Sequence, residues 1–456
     1  MKPLTIKKCL LLCLLLAACS DWRYRPLPGL ATVNLQRGYR IHQAVQSNDS
    51  SLLILLQFSG GGTRAAALGY GVLEALQQQP LASGTLLDQV DLVFGVSGGS
   101  ILAAYFSLHG PAAIPSFERH FLKQDFQKRL FSQLFSLANW PYLTAPDYGR
   151  GDLLQQELDR ALFHHATFAD LRRHRRGPFA VISATDMSQG TRLDFTQEFF
   201  DVLCLDLDAL PLARAVAASS AVPILFSPIT LNNRGGQCGY RLPAEMADAL
   251  ADDPQQLQSQ TRREYAQRLL SYQNSAQRPY IHLLDGGLTD NLALRAMLDL
   301  TDLYSEQKLL HQFLNGNVRK IVVINVNAQN EITSTLDRSA AIPDLSAQVM
   351  AVIDIPIAQN TAESLRRFRA FVDGWNAQAS RRVSMYFVSL NLRDLPPGEL
   401  RERVLNLPTS FHLPPTAIDD LKRAARQLLA RSGEYQRLLR DLRTTPVPLA
   451  EGGASH

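Results

Sequence analysis

Residues Leu52–Phe58 read Leu-Leu-Ile-Leu-Leu-Gln-Phe and run straight into Ser59-Gly60-Gly61-Gly62. A strand with water on one face alternates apolar and polar side chains, whereas an almost unbroken apolar run needs cover on both faces. Runs of the same kind stand at Val90–Val96, Phe179–Ala184, Ile281–Leu284 and Ile321–Val326, and Val383–Leu390 is a late candidate strand. Helical patterns lie between them at Ala65–Gln78, Ile101–Leu108 and Leu153–Phe163. Strand alternating with helix predicts an α/β fold, a mostly parallel central sheet with helices on both faces in three layers. Ile418, Leu421, Ala425, Leu428 and Leu429 recur at helical spacing, which predicts a packed C-terminal helix over Ala417–Leu442.

Composition narrows the class. At 46% hydrophobic and 19% charged residues, the 456-residue chain is neither disordered nor collagen-like. A formal charge of +4 lacks the basic excess of a nucleic-acid binder. Three of those four charges belong to Lys2, Lys7 and Lys8, which precede an apolar run from Cys9 to Ala18. A basic start, a short apolar core and small residues before a cut site form an export signal, and the run is too short for a bilayer span of roughly 20 residues. Leu16-Ala17-Ala18-Cys19 resembles the bacterial lipoprotein box, which implies lipidation at Cys19 and a membrane-anchored mature chain of about +1 charge. Ser20 rather than Asp after that Cys implies the outer membrane of the bacterial envelope; the face it would sit on is open. The expected division is a signal at 1–18, a tether at 19–50, a main domain at 51–392 with a polar insertion near 232–279, and a helical extension at 393–456.

The strand Val90–Val96 leads into Gly95-Val96-Ser97-Gly98-Gly99 and then an apolar helix. This is a G-x-S-x-G elbow in its required setting: Gly95 and Gly99 leave room for a tight turn that lifts the Ser97 hydroxyl to the sheet edge. The helix start beneath it offers unpaired N–H groups and a partial positive charge. Gly60-Gly61-Gly62-Thr63-Arg64 forms a second loop between strand and helix, where backbone N–H groups can face an anion. It lacks both the P-loop Lys and the third glycine of a dinucleotide fingerprint. Alone it is as readily structural; beside Ser97 it reads as an oxyanion hole. Asp285-Gly286-Gly287 closes the set, a carboxylate at a strand tip on the same edge.

Together these three pieces, in this order, resemble the patatin-like phospholipases, a family of serine acyl hydrolases. Ala184-Thr185-Asp186 and the Ala218–Pro223 segment Ala-Ser-Ser-Ala-Val-Pro also look like family segments. The similarity is strong from about Leu52 to Asn327 and weaker to Leu390. The resemblance implies Ser97 as nucleophile, Asp285 as its base, and oxyanion donors in the Gly60, Gly61 and Gly62 loop with Arg64 beside it. Gly286 and Gly287 complete the Asp-Gly-Gly motif. Ala65 departs from the family, which often has glycine there; it should affect packing more than chemistry.

No histidine stands in an obvious strand-to-loop position after Asp285: His311 belongs to a helical stretch, and His412 and His456 lie further on. His282 sits three residues before Asp285 on a strand, hence on the opposite face. A Ser–Asp dyad is therefore expected, with a phospholipid or other acyl ester as substrate and neither metal nor cofactor. A general carboxylesterase or thioesterase, or a non-catalytic lipid-binding scaffold of the envelope, are the alternatives. Arg172–Arg176 reads as a solvated basic loop, and whether Cys204 and Cys238 pair is open, as is the oligomeric state.

Overall fold

The computed structural model describes residues 25–42, 51–136, 139–143, 145–251, 257–303, 317–330, 340, 342–378 and 382–444. The expected export signal at 1–18, Cys19, His311 and His456 lie outside the described residues.

Among the described residues the core is an eight-stranded sheet. In chain order the strands are β1 (Leu52–Phe58), β2 (Val90–Val96), β3 (Phe179–Asp186), β4 (Thr191–Asp194), β5 (Ile229–Asn232), β6 (Tyr280–Leu284), β7 (Lys320–Asn327) and β8 (Ser384–Asn391). Their spatial order is β5-β6-β3-β2-β1-β7-β8, with β4 paired to β3 off that path. From β3 to β8 every neighbouring pair is parallel, and every residue of β1 and β3 is buried, as apolar runs covered on both faces require.

The apolar run at β6 behaves differently. It pairs antiparallel with β3 and β5, and its burial alternates, with Tyr280 and His282 exposed and Ile281 and Leu283 buried. Two short strands, β4 and β5, are too brief to show in a hydropathy pattern. Because β6 runs against the parallel strands, Asp285 reaches the sheet edge from outside, where the β3–β6 ladder ends at Thr185–Leu284. It still arrives beside the carboxyl end of β2, since Val96 and Ser183 are paired one step below.

Helices that position the site are α1 (Gly62–Gln77), α2 (Gly98–His109), α3 (Arg150–Leu158), α4 (Leu212–Ser219), α5 (Ala244–Ala251), α6 (Leu257–Gln273), α7 (Leu345–Asn376), α8 (Pro415–Arg431) and α9 (Gly433–Thr444). The expected C-terminal helix is two helices, broken at Ser432, whose extended backbone ends α8. The α8 stripe Ile418, Leu421, Ala425, Leu428 and Leu429 is buried, and α8 packs lengthwise on α1. Lys422 of α8 sits between Glu74 at 2.9 Å and Glu118 at 3.1 Å.

The segment before β1 packs onto the body over residues 25–42. Tyr39 is buried and stacks on Phe179 with ring centroids 3.9 Å apart, and Arg40 pairs with Asp201 at 2.8 Å. A disulfide joins Cys204 to Cys238, with Cα atoms 5.5 Å apart. Around it Leu30 N–H donates to the Cys204 carbonyl and Val33 N–H to that of Cys238. The polar insertion carries α5 and α6, and α6 reaches the core: Tyr272 donates to buried Asp186 at 2.6 Å, and Arg278 pairs with the same carboxylate at 2.8 Å. The basic run Arg172–Arg176 ends a short helix, where Arg172 pairs with Asp208 at 2.7 Å.

Candidate active site

Ser97 is the residue between β2 and α2. Its φ of 51° is a left-handed backbone, uncommon for a residue with a side chain and tolerated here by the packing around the turn. A Cβ at Gly95 would meet Ser100 Cα and one at Gly99 the Phe58 carbonyl, so both elbow positions exclude larger residues. Gly98 lies against the carbonyl of Gly62, and a side chain there would fill the same space. The elbow and the glycine loop therefore touch through backbone alone.

The Ser97 hydroxyl donates to Asp285 Oδ2 at 2.6 Å. The Gly287 N–H donates to Asp285 Oδ1 at 2.8 Å, so each carboxylate oxygen has one donor. The turn is fixed from behind by Thr185 Oγ, which donates to the Asp285 carbonyl at 2.8 Å, and by Asp285 N–H and Gly286 N–H, which donate to the carbonyls of Ala221 and Ser219. Gly286 packs on the Ser183 carbonyl. Both Ser97 and Asp285 are buried, and burial pushes the Asp285 carboxyl up to about 6, against the hydrogen bonds from Ser97 and Gly287 that hold it down. It is mostly ionised at neutral pH and far more basic than an ordinary aspartate near 3.9.

Ser219 was not singled out by its own chemistry in the sequence. Its Oγ accepts the Ser97 N–H at 2.9 Å and donates to the Ser183 carbonyl at 2.7 Å, locking the Ser97 backbone. It lies in the Ala-Ser-Ser-Ala-Val-Pro segment, whose signal was the resemblance alone. Asn291 was missed entirely: its Oδ1 accepts the Gly60 N–H at 3.1 Å.

The glycine loop divides in use. Gly60 N–H is committed to Asn291, through both its side chain and its carbonyl, so Gly60 is not an oxyanion donor. Gly61 and Gly62, at φ 131° and 59°, begin α1. Their N–H groups and that of Gly98 have no acceptor among the described residues, and the starts of α1 and α2 converge at Ser97. Arg64 also differs from expectation. Its guanidinium donates to the carbonyls of Ala328 (2.7 Å) and Leu407 (2.5 Å) and to Thr409 Oγ (3.1 Å), so three of its five N–H donors hold other parts of the chain while the side chain lines the cleft with Ser97. Burial pulls Arg64 down to about 10, with Asp354 opposing, and it remains a cation at neutral pH. Next to it Thr63 N–H donates to the Ser410 carbonyl at 2.8 Å, and Gly62 leaves no room between itself and that carbonyl. Ala65 is buried behind the loop.

The histidines stand apart. His282 is paired with Thr230 Oγ at 3.0 Å on the exposed face of β6, and His412 lies 3.9 Å from Asp125. Among the described residues no group of three or more His, Cys, Asp or Glu is placed to hold a metal ion. Above Ser97 opens a cleft of about 740 Å³, counting its open mouth, lined by Gly61, Asn291, Val222, Pro223, Ile353 and Ile357 among others. That mixed lining of aliphatic side chains, amide and glycine backbone suits a ligand with an apolar chain and a polar head.

The family model for patatin-like phospholipases matches residues 56–298, more than half the chain. The chain belongs to the patatin-like phospholipase family. The matched span of this patatin-like phospholipase contains Ser97, Asp285, Ser219 and Asn291, while the Arg64 partners at Ala328, Leu407 and Thr409 fall beyond it. Among solved structures it is similar to human GIVD cytosolic phospholipase A2, at 14% identity and TM-score 0.46, covering 89% of this chain and 64% of that one. It spans less than two thirds of that protein's length. It is also similar to VipD from Legionella pneumophila, at 12% identity, TM-score 0.27 and coverage of 90% and 71%. The type III effector protein ExoU follows at 18% identity, TM-score 0.24 and coverage of 87% and 76%. No curated protein matches the chain.

Proposed function

We propose that this chain hydrolyses acyl esters of phospholipids or lysophospholipids by a Ser97–Asp285 dyad. The observation that carries the reading is the 2.6 Å bond from the Ser97 hydroxyl to a buried carboxylate with raised basicity. In the first step Ser97 Oγ attacks the ester carbonyl as its proton passes to Asp285 Oδ2. The carbonyl oxygen becomes an oxyanion, for which the N–H groups of Gly61, Gly62 and Gly98 are the available donors. The tetrahedral adduct collapses to a Ser97 acyl ester, and the alcohol portion leaves with the proton held by Asp285. Water then repeats the sequence: Asp285 takes its proton, hydroxide adds to the acyl ester, and the proton returns to Ser97 as the fatty acid departs.

The setting belongs to the same proposal. An export signal at 1–18 and lipidation at Cys19 would hold the enzyme at the bacterial envelope, in the outer membrane, where its substrate is. The Cys204–Cys238 disulfide fits an oxidising compartment and supports this. No helix among the described residues is long and apolar enough to cross a membrane.

Two measurements test the reading. Phospholipid membranes incubated with wild-type chain should release free fatty acid, and Ser97→Ala should reduce release at least about 10³-fold; equal release by the variant refutes the dyad. Incorporation of labelled fatty acid into the chain should vanish in Cys19→Ser; labelling that persists refutes the anchor.

A further inference from the structure

The cleft opens between two walls whose outer surfaces are apolar. On one side Val222 and Pro223 line the cleft, and the next two residues, Ile224 and Leu225, are 60% and 51% exposed. On the other, Ile353 and Ile357 of α7 face the cleft, while Val352 and Ile355 on the same helix are 74% and 49% exposed. Leu345, Val352 and Ile355 follow at spacings of seven and three, one stripe on the helix, and Leu345 is also exposed. A single exposed leucine means little, but exposed apolar side chains stand on both of the segments that wall this cleft, those of α7 on its outward side. Ile224 adds strain to exposure: its φ is 73°, a rare backbone for a β-branched residue.

Charge supplies the second, independent observation. Arg150 donates to the Ile224 carbonyl at 2.6 Å, Arg295 to the Thr289 carbonyl at 3.2 Å, and Arg393 to the Asn330 carbonyl at 2.9 Å. Thr289 follows cleft-lining Leu288, and Asn330 lines the cleft itself. All three arginines are exposed, and none has a carboxylate partner among the described residues, unlike Arg172, Arg192 or Arg403. The acidic group on the cleft wall of α7, Asp354, interacts with Arg64 inside the cleft. The segments that wall the cleft thus carry exposed apolar side chains and hold three exposed arginines that have no carboxylate partner among the described residues.

We propose that these segments form a rim that docks on an anionic phospholipid bilayer and seats the Ser97 cleft on the membrane surface. Ile224, Leu225, Val352 and Ile355 enter the acyl boundary, and Arg150, Arg295 and Arg393 meet lipid phosphates, for which a planar guanidinium is suited. The inference rests on the acyl-hydrolase reading for its meaning, but it concerns a surface separate from any N-terminal anchor.

The test uses the full chain carrying Cys19→Ser, to remove acylation, and Ser97→Ala, to keep vesicles intact. Co-sedimentation is measured with phosphatidylcholine vesicles, with and without phosphatidylglycerol. Binding is expected to favour the anionic vesicles by about 100-fold at low salt, from roughly tenfold per arginine at most. Ile224→Asp with Val352→Asp should weaken it at least tenfold, and Arg150→Gln, Arg295→Gln and Arg393→Gln together should abolish the anionic preference. With Ser97 restored, both sets should hydrolyse a soluble short-chain ester at the wild-type rate, which shows that they fold. Equal binding to both vesicles, or rim variants that bind as tightly as the parent, overturns the proposal. So does a dimer on gel filtration that Ile224→Asp with Val352→Asp dissociates while vesicle binding is unchanged, since the rim would then face a second copy. If the soluble ester is hydrolysed equally by Ser97→Ala, the dyad reading fails instead, and the vesicle result still judges the surface.

Discussion

Asn291 Oδ1 accepts the N–H of Gly60, joining the turn that carries Asp285 to the loop that precedes Gly61. Because that N–H can only donate, the amide oxygen must face it, and Asn291 itself lines the cleft. Asn291→Ala should leave a folded protein whose glycine loop is unfastened from the base. The expected outcome is a kcat lower by roughly 10- to 100-fold with KM little changed, measured on a soluble ester.

Activity should follow the ionisation of Asp285. Since the base form is required and burial raises its carboxyl to about 6, kcat/KM should fall as pH drops through about 6, by tenfold for each unit below. A profile flat to pH 4.5 would show that Asp285 is not the base.

Stability runs the opposite way. An unfolded aspartate near 3.9 binds fewer protons between pH 4 and 6 than the folded one at about 6, so folding loses stability as pH rises through that window. Ionised burial then costs up to about 3 kcal/mol at neutral pH. Asp285→Asn should abolish hydrolysis and raise Tm by a few degrees at pH 7.5, with a smaller gain at pH 4.5; calorimetry at both values checks the sign.

Arg64 spans three backbone or hydroxyl acceptors with a fork that lysine cannot copy. Arg64→Lys should therefore behave much like Arg64→Ala, with both variants destabilised by about 2–4 kcal/mol as buried carbonyls lose their donor. Denaturant melts measure this; a lysine variant as stable as wild type would mean that charge alone suffices.

The Cys204–Cys238 link closes a separation of 34 residues and holds the packed N-terminal segment at Leu30 and Val33. A double serine variant should lose about 2–4 kcal/mol of stability, and reductant should lower the wild-type Tm but not the variant's. Hydrolysis at 25 °C should be unaffected, because neither cysteine touches the cleft.

Much of this was legible in the residues. The runs at β1 and β2 declared a doubly covered sheet and matched the observed strands residue for residue, since nothing but core packing determines them. Ser97 and Asp285 stand out in the sequence because each adjoins a glycine, and glycine in a turn is visible there. The partners of Gly60 and Arg64 were hidden for one reason: which acceptor a donor meets depends on chain far away, Asn291 for the first and Leu407 and Thr409 for the second. The direction of β6 was equally hidden, because an apolar run does not record which way its neighbour points. Its alternation Tyr280, Ile281, His282, Leu283 was the available sign.

The reversed strand has a consequence for how this protein can be altered. β5 and β6 are hydrogen-bonded neighbours joined by the long excursion that carries α5 and α6, so Asp285 is registered by the ladder and not by the length of chain before it. Lengthening a loop of that size twofold costs only about 0.6 kcal/mol in closure entropy. A reporter domain or affinity tag spliced into that excursion would thus ride on the enzyme while Asp285 keeps its place against Ser97.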